Sequence, residues 1–164
     1  MTQSTHNIAA YEPKHLEAIV ALSLRAWEPV FPEIEKSLDP QVYQASYPEG
    51  WRASQKSAVE GVCTGGEAKV WVALDGTTVT GFVAVKFQPG GELGEIYMIA
   101  VDPAHQRRGI ADALTQFAVQ QLKAANVSIA MVETGSDPGH APARRTYEKA
   151  GFSLFPVSRY FLKL

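Results

Sequence analysis

Ile99-Ala100-Val101-Asp102-Pro103-Ala104-His105-Gln106-Arg107-Arg108-Gly109-Ile110-Ala111 is the stretch on which the fold turns. An apolar run ends at Asp102-Pro103, because proline cannot donate to a strand ladder. A short basic loop follows. The apolar spacing then becomes helical, with Ile110, Leu114, Phe117, Ala118 and Leu122 on one face. A strand that feeds a helix through such a loop gathers unpaired backbone N–H groups and the positive end of the helix dipole at one point. That point suits an anion, a pyrophosphate among them. Gly109 and Ala111 leave room for close approach, and Arg107 and Arg108 add positive charge. An ordinary solvated helix start can look the same. The stretch is neither a P-loop, since no Gly-Lys-Ser/Thr follows, nor a Gly-x-Gly-x-x-Gly fingerprint.

Upstream, Glu95 to Val101 predicts the strand that enters the loop. Before it, Val70 to Leu74 and Val79 to Phe87 predict two strands joined by the hairpin signal Asp75-Gly76. Nearer the start, Ile8 to Tyr11 predicts a short strand. Pro13 suits the first turn of a helix, traced by Leu16, Ile19, Val20, Leu24 and Trp27. Glu28 to Pro40, with three prolines, predicts a loop, and Trp51 to Val62 a second helix. Downstream, Val127 to Val132 predicts a buried strand, Thr134 to His140 a loop, and Ala141 to Ala150 a helix ended by Gly151. Phe152 to Phe155 and Tyr160 to Leu164 predict closing strands. The order β-α-α-β-β-β-α-β-α-β-β predicts an α/β fold, a mixed sheet with helices on both faces.

The 164 residues suit a single domain, 1–164. Apolar residues are 46% and charged residues 20%, enough for a core. A net charge of −2 without a basic run argues against a general nucleic-acid partner. Cys63 is the only cysteine, so no internal disulfide forms and a cysteine-based metal site is not expected. The polar start lacks a signal core, and no stretch is long and apolar enough to span a bilayer. A soluble cytoplasmic protein without a membrane or metal partner is the expectation, and a homodimer is left open.

A second motif lies further on: Ala143-Arg144-Arg145-Thr146-Tyr147-Glu148-Lys149-Ala150-Gly151-Phe152. Gln106-Arg107-Arg108-Gly109-Ile110-Ala111 resembles the Gln/Arg-x-x-Gly-x-Gly/Ala acyl-CoA motif of the GNAT superfamily of N-acetyltransferases. Tyr147 to Phe152 resembles that family's second motif, a tyrosine shortly before Gly-Phe. Ile99 to Pro103 resembles its strand entry. The resemblance runs from about Val70 to Phe155. One position departs from it: the family often has asparagine seven residues before the tyrosine, where this chain has His140.

The resemblance implies a mostly antiparallel sheet that splays beside the Glu95 to Val101 strand, with the pantetheine arm of acetyl-CoA laid in the gap like an added strand. Backbone groups of Ile99, Ala100 and Val101 would line that gap. Those of Gln106, Arg107, Arg108, Gly109, Ile110 and Ala111 would hold the pyrophosphate. Tyr147, as a phenol of pKa near 10, would donate to a departing thiolate. Glu95 and Glu133, at the ends of neighbouring strands, are the candidate bases for the attacking primary amine, and a water relay is the third route. His6, His15 and His105 are expected at the surface, and Cys63 in packing. Trp27, Phe31, Tyr43, Tyr47 and Trp51, interleaved with acids, either line a cationic acceptor's site or form core. The activity implied is acetyl transfer to a primary amine within a ternary complex. The competing reading is a non-catalytic acyl-CoA-binding sensor.

Overall fold

The computed structural model describes residues 6–88 and 90–164. Five strands form one sheet in the order β1-β2-β3-β4-β5. They are β1 (Asn7–Ala10), β2 (Ala68–Asp75), β3 (Thr78–Phe87), β4 (Leu93–Val101) and β5 (Ile129–Val132). β1 to β4 pair antiparallel, and β5 joins β4 in parallel. The parallel pair is linked by helix α5 (Ile110–Ala124), as a crossover requires. The Asp75-Gly76 hairpin forms as predicted, with Gly76 at φ 60°.

β3 is apolar and buried from Gly81 to Val85 because it is covered on both faces there. Phe82 and Ala84 pack with Ile19 and Leu22 of α1 (Leu16–Trp27) and Val59 of α4 (Trp51–Thr64). Val83 and Val85 face Leu114, Ala118 and Leu122 of α5. Gly81 lets the first turn of α5 sit down on the sheet. A Cβ there would lie 2.9 Å from the Ala100 carbonyl oxygen, 3.1 Å from Leu114 and 3.3 Å from Ile110.

Two irregularities open the sheet. Met98 lies opposite Ala84 while Ile96 lies opposite Val85, so Tyr97 has no residue across from it. This is a β-bulge, which bends its strand. In addition, β5 pairs only with Leu93 to Ile96. Beyond Ile96, β4 runs on to Val101 without a neighbouring strand on that side among the described residues. This is the expected splay.

The structure corrects four sequence expectations, the first being the buried strand over Val127 to Val132: β5 covers only Ile129–Val132, with Ile129 exposed and the other three half-buried, because it lies at the edge of the sheet. The stretch predicted as a loop holds α2 (Phe31–Ser37), and α3 (Pro40–Ser46) begins at its end. Proline occupies the first turn of both helices, where its missing N–H costs nothing. The Asp39 carboxylate caps α3 by accepting from the N–H groups of Gln41 and Val42. His15 is buried, not superficial, and its Nδ1 accepts from the Glu12 N–H at 3.0 Å. The two closing strands do not form: after α6 (Ala141–Lys149), residues 152–164 carry no strand. A strand-forming composition makes no strand until it is paired, and these residues are not paired with the outer edge of β5. Cys63 is buried, as expected.

Candidate active site

The loop between β4 and α5 is bent by two left-handed residues in three positions, Arg107 at φ 61° and Gly109 at φ 80°. Such alternation curls successive N–H groups into a concavity that suits an anion. The Gly109 carbonyl accepts from the Ala113 N–H as α5 begins. Among the described residues, the N–H groups of residues 107–112 have no protein acceptor. Among the described residues, the one atom outside its chain neighbours within 4 Å of a Cβ built on Gly109 is His6 Nε2, at 3.6 Å. The cradle therefore presents backbone N–H groups at the positive end of α5, with the His6 ring at its edge, which fits a diphosphate.

Three contacts brace this loop from below. Asp102 is buried, takes the Ala104 N–H at 3.0 Å and pairs with Arg25 of α1. Burial works against its ionisation, but the Arg25 guanidinium and the Ala104 N–H hold its carboxyl below the usual range. Gln106 turns back and donates from Nε2 to the Val101 carbonyl at 3.2 Å. His6 Nε2 lies 2.9 Å from the Arg108 carbonyl oxygen. Arg25 and His6 carried no sequence signal for this role, since each lies more than 75 residues away from its partner in the chain.

The open edge of β4 can be assigned group by group. The Asp102 N–H donates to Thr80 of the β3 side at 2.9 Å. Backbone groups alternate along a strand, so those of Ala100 also face β3 and those of Ile99 and Val101 face the gap. Gln106 already uses the Val101 carbonyl. Ile99 is left as the position with both backbone groups directed into the splay.

The loop after β5 is built differently. The His140 Nδ1 lies 2.6 Å from the Asp137 carboxylate. Burial opposes ionisation of Asp137, yet the hydrogen bond and charge of His140 hold its carboxyl below the usual range. Arg144 donates to the carbonyls of Gly135 at 2.6 Å and Asp137 at 2.9 Å. His140, at the position of the family's asparagine, thus belongs to a latch that fixes the start of α6. Tyr147 follows two turns on, buried edge-to-face on Phe152 with centroids 6.2 Å apart. Burial pushes its phenol up to about 12.

Glu95 and Glu133 lie close enough to influence each other. Burial raises the Glu95 carboxyl, Lys86 opposes the rise and Glu133 adds to it. Alternation puts Glu95 opposite to Gly94 and Ile96, on the face away from α5. Glu133 is exposed and paired with Arg159 at 2.5 Å. The aromatic segment is mostly packing: Phe31 stacks on Trp51 at 4.4 Å and meets Tyr47 at 5.3 Å. Arg52 already covers the Trp51 ring at 4.4 Å. His105 is partly buried, with an unpartnered Nδ1.

Cavities of about 480 Å³ beside α3 and about 340 Å³ beside the end of α4 are not lined by the β4–α5 loop. Among the described residues no cluster of His, Cys, Asp and Glu is arranged to hold a metal. No described helix is long and apolar enough to cross a membrane.

A five-stranded sheet that parts at a bulged strand, with a backbone anion cradle beside the gap, defines an acyl-CoA-binding transferase architecture. The model of the acetyltransferase (GNAT) family matches residues 30–152, and the chain belongs to that family. It is 31% identical over 107 residues to a mycothiol acetyltransferase of Corynebacterium glutamicum, covering 64% of this chain and 35% of the relative. It is 42% identical over 69 residues to a mycothiol acetyltransferase of Beutenbergia cavernae, covering 42% of this chain and 23% of the relative. The chain thus spans about a third or less of these relatives' length. Among solved structures it resembles aminoglycoside N-acetyltransferase AAC(6')-Iy in complex with CoA, with TM-score 0.66, 14% identity and 99% of each chain covered. It also resembles the ribosomal-protein-S18-alanine N-acetyltransferase of Escherichia coli, with TM-score 0.65, 20% identity, and 91% and 78% of the chains covered.

Proposed function

We propose that residues 1–164 act as one domain that transfers an acetyl group from acetyl-CoA to a primary amine. The observation that carries this is the open backbone cradle of residues 107–112 set beside the unpaired edge of β4. Acetyl-CoA supplies an activated thioester. The cradle N–H groups hold its diphosphate, helped by the α5 dipole. The groups of Ile99 and the Val101 N–H pair with the extended arm.

Transfer needs a neutral amine, and a lysine-like amine has a pKa of about 10.4. Glu95 is the better base of the two carboxylates. Its raised carboxyl lies nearer to working pH, whereas the carboxylate of Glu133 is engaged by Arg159. The amine nitrogen bonds to the carbonyl carbon, the C–S bond breaks, and the amine proton leaves to Glu95 directly or through water. Tyr147 then faces the departing thiolate. A phenol near 12 is a weaker acid than a thiol of about 8.5. Tyr147 therefore acts by donating a hydrogen bond to the developing charge, and complete proton transfer to sulfur is left to solvent.

The competing sensor reading lacks a use for the raised carboxyl of Glu95. A cytoplasmic location fits the single thiol, Cys63, and its burial. The test is release of free thiol from acetyl-CoA across a panel of aminoglycosides, small primary amines and peptides. Acceptor-dependent release supports the transferase. Saturable acetyl-CoA binding with no release above the uncatalysed rate for any acceptor supports the sensor.

A further inference from the structure

Acetyl transfer to a primary amine leaves the class of amine open, and the face of β4 away from α5 narrows it. The bulge leaves Tyr97 on the same face as Glu95, with its ring 43% exposed. Lys86 of β3 lies directly opposite Glu95, so these two side chains share that face as well. Lys86 Nζ sits 3.6 Å from the centre of the Tyr97 ring. The cation is held there but little used. Among the described residues its carboxylate partner within 4 Å is Glu67, at 3.6 Å and with 83% of its side chain exposed. Such a pair contributes little and is readily exchanged. Glu95 forms no ion pair among the described residues. An acid and a base therefore stand side by side on one face, neither of them committed.

A cavity of about 340 Å³ opens beside them, at the lower end of the roughly 300–1,000 Å³ of small-molecule sites. Ala58, Gly61 and Val62 of α4 line it, together with Glu67, Lys86 and Tyr97. Gly61 has no role in packing. It lies within a helix, which glycine weakens relative to alanine. It has no positive φ, and a Cβ built on it would meet nothing within 4 Å. The missing side chain leaves room in the cavity.

From these facts we infer that the acceptor is a free α-amino acid with an apolar side chain. Its amine lies at Glu95, its carboxylate takes the place of Glu67 on Lys86, and its side chain enters the cavity beside Gly61 and Tyr97. Cross-strand partners have Cβ atoms about 4.5–5.5 Å apart, a spacing that suits a ligand whose own opposite charges sit on adjoining carbons. A polycationic amine is repelled by Lys86, and an amine without a carboxylate leaves Lys86 unused. The inference rests on the transferase reading, with Glu95 as base. The amine nitrogen bonds to the acetyl carbon, the C–S bond breaks, and the nitrogen's proton passes to Glu95 and on to solvent. The products are an N-acetyl amino acid and the free thiol of CoA.

Thiol release should be compared for leucine, leucinamide, isoamylamine and a polycationic aminoglycoside, at equal concentrations of neutral amine. Leucine should lead leucinamide in kcat/KM by about tenfold or more, the loss expected of one charged hydrogen bond. Lys86→Met should bring that ratio to about one; the ratio cancels any effect of Lys86 on Glu95. Gly61→Leu fills the cavity from an exposed helix position, so its circular dichroism spectrum should match the wild type while the leucine-to-glycine ratio falls roughly tenfold or more. Faster release with leucinamide, isoamylamine or the aminoglycoside than with leucine, a lead that survives Lys86→Met, or an unchanged leucine-to-glycine ratio in Gly61→Leu would each overturn the inference and leave the transferase standing. No release with any acceptor, from a protein that binds acetyl-CoA, would end both.

Discussion

The loop after β4 and the loop after β5 each end a parallel strand and begin a helix, but they are made of different parts. The first offers backbone. Its side chains turn away or brace it from beneath, and a left-handed glycine keeps the N–H groups accessible. The second is closed by its own side chains, with Asp137 on His140 and Arg144 on two carbonyls. One loop leaves backbone N–H groups without acceptors among the described residues. The other holds a helix, and with it Tyr147, in place. Topology alone therefore does not make a binding site at a strand end; what matters is whether the polar groups there are free or already satisfied.

The largest test of this contrast concerns the carboxylates, since Glu95 lies on the strand of the first loop and Glu133 opens the second. Glu95→Gln should lower kcat/KM by ~10²–10⁴-fold, the range for a lost general base. In the wild type the rate should rise with pH through a value above the ordinary glutamate range, because only the ionised form accepts a proton. Glu133→Gln should leave the rate nearly unchanged. Equal losses in the two variants would break the distinction.

Tyr147→Phe removes a donor and keeps the ring. Single-turnover rates should fall about 10²–10³-fold, as for a lost donor to developing charge, with acetyl-CoA affinity kept. A wild-type single-turnover rate would leave Tyr147 with packing alone.

Smaller effects belong to the braces. Arg144→Ala should cost stability, roughly 1.5–3 kcal/mol per charged hydrogen bond lost, with little change in acetyl-CoA affinity; a thermal melt and a titration separate the two. Asp102→Asn sharpens the other side. A carboxyl more acidic in the folded than in the unfolded chain adds stability above its unfolded pKa, and loses it as pH falls through the folded value. Acidification should thus narrow the stability gap between wild type and Asp102→Asn, and a gap independent of pH would contradict the pairing.

Much of this was legible in the sequence. β2 to β4 and α5 showed because long apolar runs and helical spacing are local signals, and the cradle showed because glycine and helix start lie in one stretch. α2 and α3 were hidden by Pro32 and Pro40, which suggest a break when spacing is weak but also suit a first helical turn. His15 was misplaced because its burial depends on a cap three residues away and on packing by α1. The bulge at Tyr97 is a matter of register with β3, which no single strand reveals. The Asp102–Arg25 brace joins residues 77 positions apart. Residues 157–164 show the limit from the other direction: their strand signal is strong, and they form no strand.

Calorimetric titration of acetyl-CoA into the wild type and Gly109→Val tests the cradle most directly. Valine at φ 80° is strained, so circular dichroism must first show that the variant is folded at the titration temperature. The account predicts saturable binding to the wild type and at least a tenfold loss of affinity in the folded variant, because a branched side chain would stand where the diphosphate meets the backbone. Unchanged affinity in folded Gly109→Val would contradict it.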